Sequence, residues 1–235
     1  MKSKLFIVLL LLIFSCKEKS SSKISSDLVL ANLNSGELIN IDFSKPEYSD
    51  LKIYTNDTIT SDGWKINYLV KNDSTGLRDL YIKWSKGDNS EIFLMEDVLL
   101  MRRYFIPVLN KNNANFIYMT HGCATSCSGV LTLSKESKPI AKDFLEVIDY
   151  NTDFDQIVYI PERSYSLDTF EIAVSDLKKG IDKSVKFKNK CNLSPENGCI
   201  DRIDFNEKYI DIFATLLNSE TGKAIKENNR INITE

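Results

Sequence analysis

The chain has 235 residues, with 30 lysines and arginines against 33 aspartates and glutamates, a single histidine and five cysteines. That length suffices for one large domain able to bury roughly 70% of its unfolded surface. The slight acidic excess and the lack of any long basic run argue against a nucleic-acid ligand, and past the first residues no apolar run approaches the roughly 18 a membrane-crossing helix needs.

The amino terminus reads first. Lys2 and Lys4 precede an uncharged run from Leu5 to Phe14, ten residues long. As a helix it would rise about 15 Å, half of a hydrocarbon core of roughly 30 Å, so it is too short to span. A basic head, a short apolar stretch and the small Ser15 form the pattern of a secretory signal, and Cys16 follows at once. The run Ile13-Phe14-Ser15-Cys16 resembles the lipobox that ends the signal of bacterial lipoprotein precursors.

The resemblance implies that residues 1–15 are removed and that Cys16 receives a diacylglyceryl group on its sulfur, often with a further acyl chain on the new amino group. One acyl chain holds a protein only reversibly, whereas two or more hold it firmly. The expected partner is therefore a membrane, reached through this anchor, and the expected address is the bacterial cell envelope. Lys17 stands where an aspartate would favour the inner membrane, which points to the outer membrane, with the periplasmic or surface face left open. The segment KEKSSSKISS has almost nothing to bury, so residues 16–26 read as a lipidated cysteine and flexible tether.

From Asp27 to Glu235 one β-rich domain is expected. In ELINIDF, Ile39, Ile41 and Phe43 alternate with Asn40 and Asp42; in WKINYLV the apolar set is Trp64, Ile66, Tyr68 and Val70. Period-two alternation bounded by Asn, Asp, Ser and Gly is the mark of half-buried strands. EDVLLMRRYF, ahead of Pro107, fits a helix or a strand equally. A strand–turn–strand unit recurs from Leu28, Ile66, Phe116, Phe170 and Ile210, at separations of 38, 50, 54 and 40 residues. The fold class expected is all-β and antiparallel, propeller-like with about five hairpin-based units, a β-sandwich being the alternative. The aromatics Trp64, Tyr68, Tyr81 and Trp84 lie on alternating strand positions and are expected to pack in the core rather than stack on sugars.

Four cysteines follow the anchor: Cys123, Cys127, Cys191 and Cys199. An even number in an exported chain favours disulfides, of which four cysteines allow three connectivities. Local pairing, Cys123 with Cys127 and Cys191 with Cys199, is the simplest. The run THGCATSCSG, Thr120 to Gly129, adds the only histidine, and His121, Cys123 and Cys127 form a candidate metal or thiol-redox set. The plainer reading is a disulfide-closed hairpin tip, with His121 at the surface and the glycines supplying unusual backbone angles. Such a loop would serve recognition through Thr120, His121, Gly122, Ser126, Ser128 and Gly129.

DYNTDFD, from Asp149 to Asp155, spaces oxygen ligands like a calcium loop but has Phe154 at the glycine position and Ile160 where a glutamate should close it. Ser126 and Ser128 lack the elbow motif of a serine hydrolase. No phosphate-cradling glycine loop or dinucleotide fingerprint occurs, so no cofactor is expected. The leading expectation is a lipid-anchored binding module for a protein or a glycan. The alternatives are an envelope glycan hydrolase using paired carboxylates and a metal or thiol handler.

Overall fold

The computed structural model describes residues 38–46, 58–71, 79–95, 103–124, 127–136, 140–161, 170–191 and 199–234. Cys16, the tether, Ser126 and the first residues of the earliest hairpin unit lie outside the described residues. The described chain is all-β: four antiparallel sheets, each a meander of consecutive strands. Sheet I contains β1 (Leu38–Asn40), β2 (Lys65–Lys71), β3 (Leu80–Lys86) and β4 (Asn89–Met95). Sheet II holds β5 (Val108–Asn112), β6 (Phe116–Ala124), β7 (Cys127–Ser134) and β8 (Ala141–Phe144). Sheet III runs through β9 (Val147–Asn151), β10 (Gln156–Tyr159), β11 (Glu171–Asp176) and β12 (Ile181–Lys186). Sheet IV has β13 (Ile200–Phe205), β14 (Tyr209–Leu217) and β15 (Ala224–Asn232).

Four of the five recurrent units are therefore hairpins: β2–β3, β6–β7, β11–β12 and β14–β15, one in each sheet. Of the ambiguous EDVLLMRRYF, residues 96–102 lie outside the described residues, and its last three form a single 3-10 turn, Arg103–Phe105. Pro107 follows two residues later, where the ring forbids a continuing helix.

The sheets stack in chain order. Ile66 and Trp84 of sheet I meet Ile117 and Leu131 of sheet II in one apolar core. Tyr118 and Phe144 of sheet II meet Ile157 of sheet III in a second. Ile172 and Val174 of sheet III meet Ile210 and Ile212 of sheet IV in a third. Sheets II and III are thus covered on both faces, and their central strands carry continuous buried runs such as Ile117-Tyr118-Met119. Sheet IV is covered on one face, and β14 alternates buried and half-buried along its length. This is the burial rule for sheets with two covered faces against one. Trp64, Tyr68, Tyr81 and Trp84 are all buried. Trp84 Nε1 donates to the Ser134 carbonyl at 2.8 Å, tying sheet I to sheet II.

Sheet II passes to sheet III through a two-residue corner, Leu145–Glu146, so the edge strands β8 and β9 adjoin. Among the described residues the sheets close into neither a barrel nor a propeller ring.

Candidate functional site

Where β6 and β7 emerge from between their neighbours, the chain leaves a cavity of about 450 Å³. That is within the roughly 300–1,000 Å³ usual for small-molecule sites. Its floor is apolar and buried, including Ile106 and Val130, and its rim carries the exposed Arg103, Tyr104, Asn110, Ser128 and Asp149. Residues of THGCATSCSG converge here: Thr120, His121, Gly122, Ser128 and Gly129 all line it. Ser126 lies outside the described residues.

The hairpin register explains the composition of that motif. His121 pairs across the ladder with Gly129, and Gly122 with Ser128. Cys123 is an extra residue in β6, because Ala124 next pairs with Cys127. Such a bulge bends the strand and re-aims its side chains. Cys123 is bonded to Cys127, with Cα atoms 5.1 Å apart, and Cys191 to Cys199 at 5.7 Å. The first bridge closes the bulged end of the hairpin; the second lies on the connection from sheet III to sheet IV.

The two glycines have a different purpose from unusual backbone angles, since neither has a positive φ. An added Cβ at Gly129 would overlap the His121 ring, and one at Gly122 would overlap the Tyr104 ring. Both therefore serve close approach. Over Gly129 the imidazole crosses the intervening strand to reach β8, about 10 Å from β6, where Asp143 waits. His121 is accordingly buried, at 9% exposure, rather than a surface residue.

His121 Nε2 lies 2.8 Å from Asp143 Oδ1, and Nδ1 lies 2.9 Å from the Gly122 carbonyl oxygen. Both partners can only accept, so both ring nitrogens donate and the ring is an imidazolium. Burial opposes that charge, but the hydrogen bond and negative charge of Asp143, with the Gly122 carbonyl, outweigh it and hold the pKa above its ordinary 6.5. A histidine with both nitrogens committed cannot take a proton from Ser128. The sulfurs of Cys123 and Cys127 are joined to each other rather than offered as thiolates. Among the described residues no three His, Cys, Asp or Glu side chains are grouped to hold a metal.

The DYNTDFD segment divides between two tasks. Asp149 stands on the cavity rim, while Asn151 Oδ1 accepts from the backbone N–H groups of Asp153 and Phe154 at 2.9 and 3.0 Å, folding the turn. Asp155, at 2% exposure and φ 57°, turns inward. Its carboxylate accepts from Tyr118 Oη at 2.6 Å, Asn113 Nδ2 at 2.5 Å and Asn115 Nδ2 at 2.8 Å. Burial, then the Asp155 bond and charge, push the Tyr118 pKa far above its ordinary value. The spacing that resembles a calcium loop thus builds one turn and one internal knot.

Sequence reasoning missed Arg103, Tyr104, Asn110, Asp149 and Tyr150 as cavity residues. Asp149 and Tyr150 open DYNTDFD, and Arg103 and Tyr104 close EDVLLMRRYF, but neither run points to a cavity, and Asn110 sits in no motif. They arrive from the 3-10 turn that leads into β5 and from β9, two stretches that only sheet stacking brings together. No known family model, curated protein or solved structure matches this chain.

Proposed function

We propose that this chain is a lipid-anchored protein of the bacterial cell envelope whose β domain holds a ligand in the cleft between sheets II and III. Cys16 and the polar tether supply the address and the mooring. The observation that carries the binding reading is the cleft itself. An apolar floor is ringed by polar side chains on strands and a 3-10 turn, fixed by the His121–Asp143 pair and the Cys123–Cys127 bridge.

A glycan hydrolase needs two carboxylates roughly 5–10 Å apart in one pocket. Asp149 is the one carboxylate among the described residues lining this cleft, and the nearby Asp143 is engaged by His121. The donor and acceptor groups present suit recognition better than proton transfer. For the fold, meanders stacked in chain order support a blade-like, propeller-like reading in open form. The β8–β9 corner is the departure from ring wiring, because two residues cannot cross a four-stranded blade about 14 Å wide.

The test is made in intact cells with a photo-crosslinking residue at Ser128 and, as control, at the exposed turn residue Lys223. Adducts are analysed by mass spectrometry for peptide and sugar. Adducts from position 128 and not from 223 support the reading. No adduct from 128, or the same adducts from both, overturns it. Acyl labelling that survives Cys16→Ala would separately remove the anchor.

A further inference from the structure

We infer that the ligand of this cleft is an uncharged saccharide seated on the ring of Tyr104; the inference rests on the binding reading above and names the chemistry of that site's occupant. Tyr104 is 56% exposed, far more than an aromatic side chain placed for packing. It is nevertheless held. Its ring approaches Gly122 so closely that no Cβ fits there. Its hydroxyl donates to the Cys127 carbonyl at 3.3 Å, and Phe105 meets it edge-on with centroids 5.8 Å apart. A rigid, exposed ring at a cleft mouth loses little freedom on binding and offers a flat apolar surface to a patch of C–H groups.

The opposite wall supplies hydroxyl partners. Asn110 Nδ2 donates to Tyr150 Oη at 2.8 Å, which leaves the Asn110 carbonyl oxygen to accept and the Tyr150 hydroxyl to donate. Asp149 Oδ1 accepts from the Tyr150 backbone N–H at 2.8 Å, which fixes a carboxylate at the rim. Tyr150 is itself stacked on Tyr118, centroids 5.8 Å apart. Ligand hydroxyls both donate and accept, and a wall with both capacities at fixed positions suits them.

Charge does not single out an anion. Asp143 pairs with His121 behind the lining, Arg103 and Asp149 stand on the rim, and Lys111 lies 6.0 Å over the Tyr150 ring. A phosphate or carboxylate ligand would meet the Asp149 carboxylate, which a phosphorylated probe tests directly.

The test uses the lipidated chain in phosphocholine detergent micelles and saturation-transfer NMR. Probes are the methyl glycosides of glucose, galactose, mannose and N-acetylglucosamine, their β-1,4 disaccharides, and glucose 6-phosphate. At least one neutral probe is expected to show saturable transfer, with affinity at least tenfold weaker in Tyr104→Ala and in Asn110→Ala, and within about threefold of wild type in Tyr104→Phe. Near-ultraviolet circular dichroism checks that each variant is folded. Absence of transfer to every neutral probe, undiminished binding by folded Tyr104→Ala, or tenfold preference for the phosphorylated sugar each overturns the inference. Photo-adducts from position 128 without saccharide transfer would sink the saccharide and leave the binding role standing; neither signal would sink both.

Discussion

Hairpin β6–β7 of sheet II and hairpin β14–β15 of sheet IV are built alike, yet their polar side chains live under opposite rules. The first lies between two sheets, and its polar groups find partners inside the protein. His121 binds Asp143, Tyr118 binds Asp155, and the Thr132 hydroxyl donates to the Lys142 carbonyl. The second presents Ile210, Ile212, Ala214 and Leu216 to the core and turns the other row to water. There Arg230 makes two 2.6 Å bonds to Asp211 and lies 3.9 Å over the Tyr209 ring, while Arg202 lies 4.2 Å over Phe213. Removing one member of a buried pair strands the other without water, whereas a surface partner simply rehydrates. The cleft is attached to the hairpin whose geometry cannot relax, which is where a preformed site should be.

The largest effect is expected at Asp155. Asp155→Ala strands the buried Tyr118 hydroxyl, removes the acceptor of the half-buried Asn115 amide and one of the two acceptors of Asn113, which keeps the Thr152 carbonyl, and places alanine at a positive φ that it tolerates poorly. Unmet buried groups at this density cost about 3–4 kcal/mol. Asp155→Asn keeps an acceptor and a residue at ease in that conformation, and should lose less than half as much. Urea denaturation measures both. Equal losses would mean that the knot acts through shape rather than through its acceptors.

Gly129→Ala comes next. The new methyl group occupies the path of the imidazole, so His121 must leave Asp143 or the strand must shift, at a cost of about 2–3 kcal/mol. In the double variant with His121→Ala the obstruction is gone, and the combined loss should fall short of the sum of the single losses. Additive losses would show that glycine at this position has no bearing on the histidine.

These two sites also mark how much the sequence discloses. Sheet IV is legible because alternation survives wherever one face meets water; YIDIFATLL reads as a strand and is one. The hairpin units are legible for the same reason, as is local pairing of cysteines four and eight residues apart. Burial on both faces erases alternation, so the order of the stack could not be read from FIYMT or QIVYI. Gly122 and Gly129 stood out, but for the wrong reason, since a glycine needed for close approach and one needed for a left-handed turn look the same in a string of letters. The rim was illegible because nothing local links the 3-10 turn and β5, which carry Arg103 and Asn110, to β9, which carries Asp149; only stacking of the sheets brings them together.

The imidazolium yields a smaller effect with a definite sign. The folded-state pKa of His121 lies above the ordinary 6.5, so the pair's contribution is complete below pH 6.5 and is lost as pH rises through the raised value. The groups that act on the ring are Asp143 on β8 and the Gly122 carbonyl, with Gly129 of β7 packed against it; Arg103 and Tyr104 line the same cavity. Unfolding free energy should therefore fall as pH rises above 6.5 in the wild type and change less in His121→Gln. Parallel profiles would show that the ring does not titrate in that window.

The smallest effect is expected from the ion pair with the shortest bonds among the described residues. Arg230 meets Asp211 with two short bonds and covers Tyr209, and the Asp211 pKa is lowered first by that hydrogen bonding. The guanidinium is nonetheless more than half exposed, at 54%, so its hydration and the entropy of its long side chain offset the attraction. Arg230→Ala should leave the melting temperature within about 1 °C of wild type, by the stability-to-temperature conversion for a domain of this size, with any difference vanishing in 0.5 M salt. A loss approaching that of Gly129→Ala would mean that the outer face of sheet IV is not governed by solvent. A second surface covering it would then have to be sought, because only exclusion of water gives such a pair its strength.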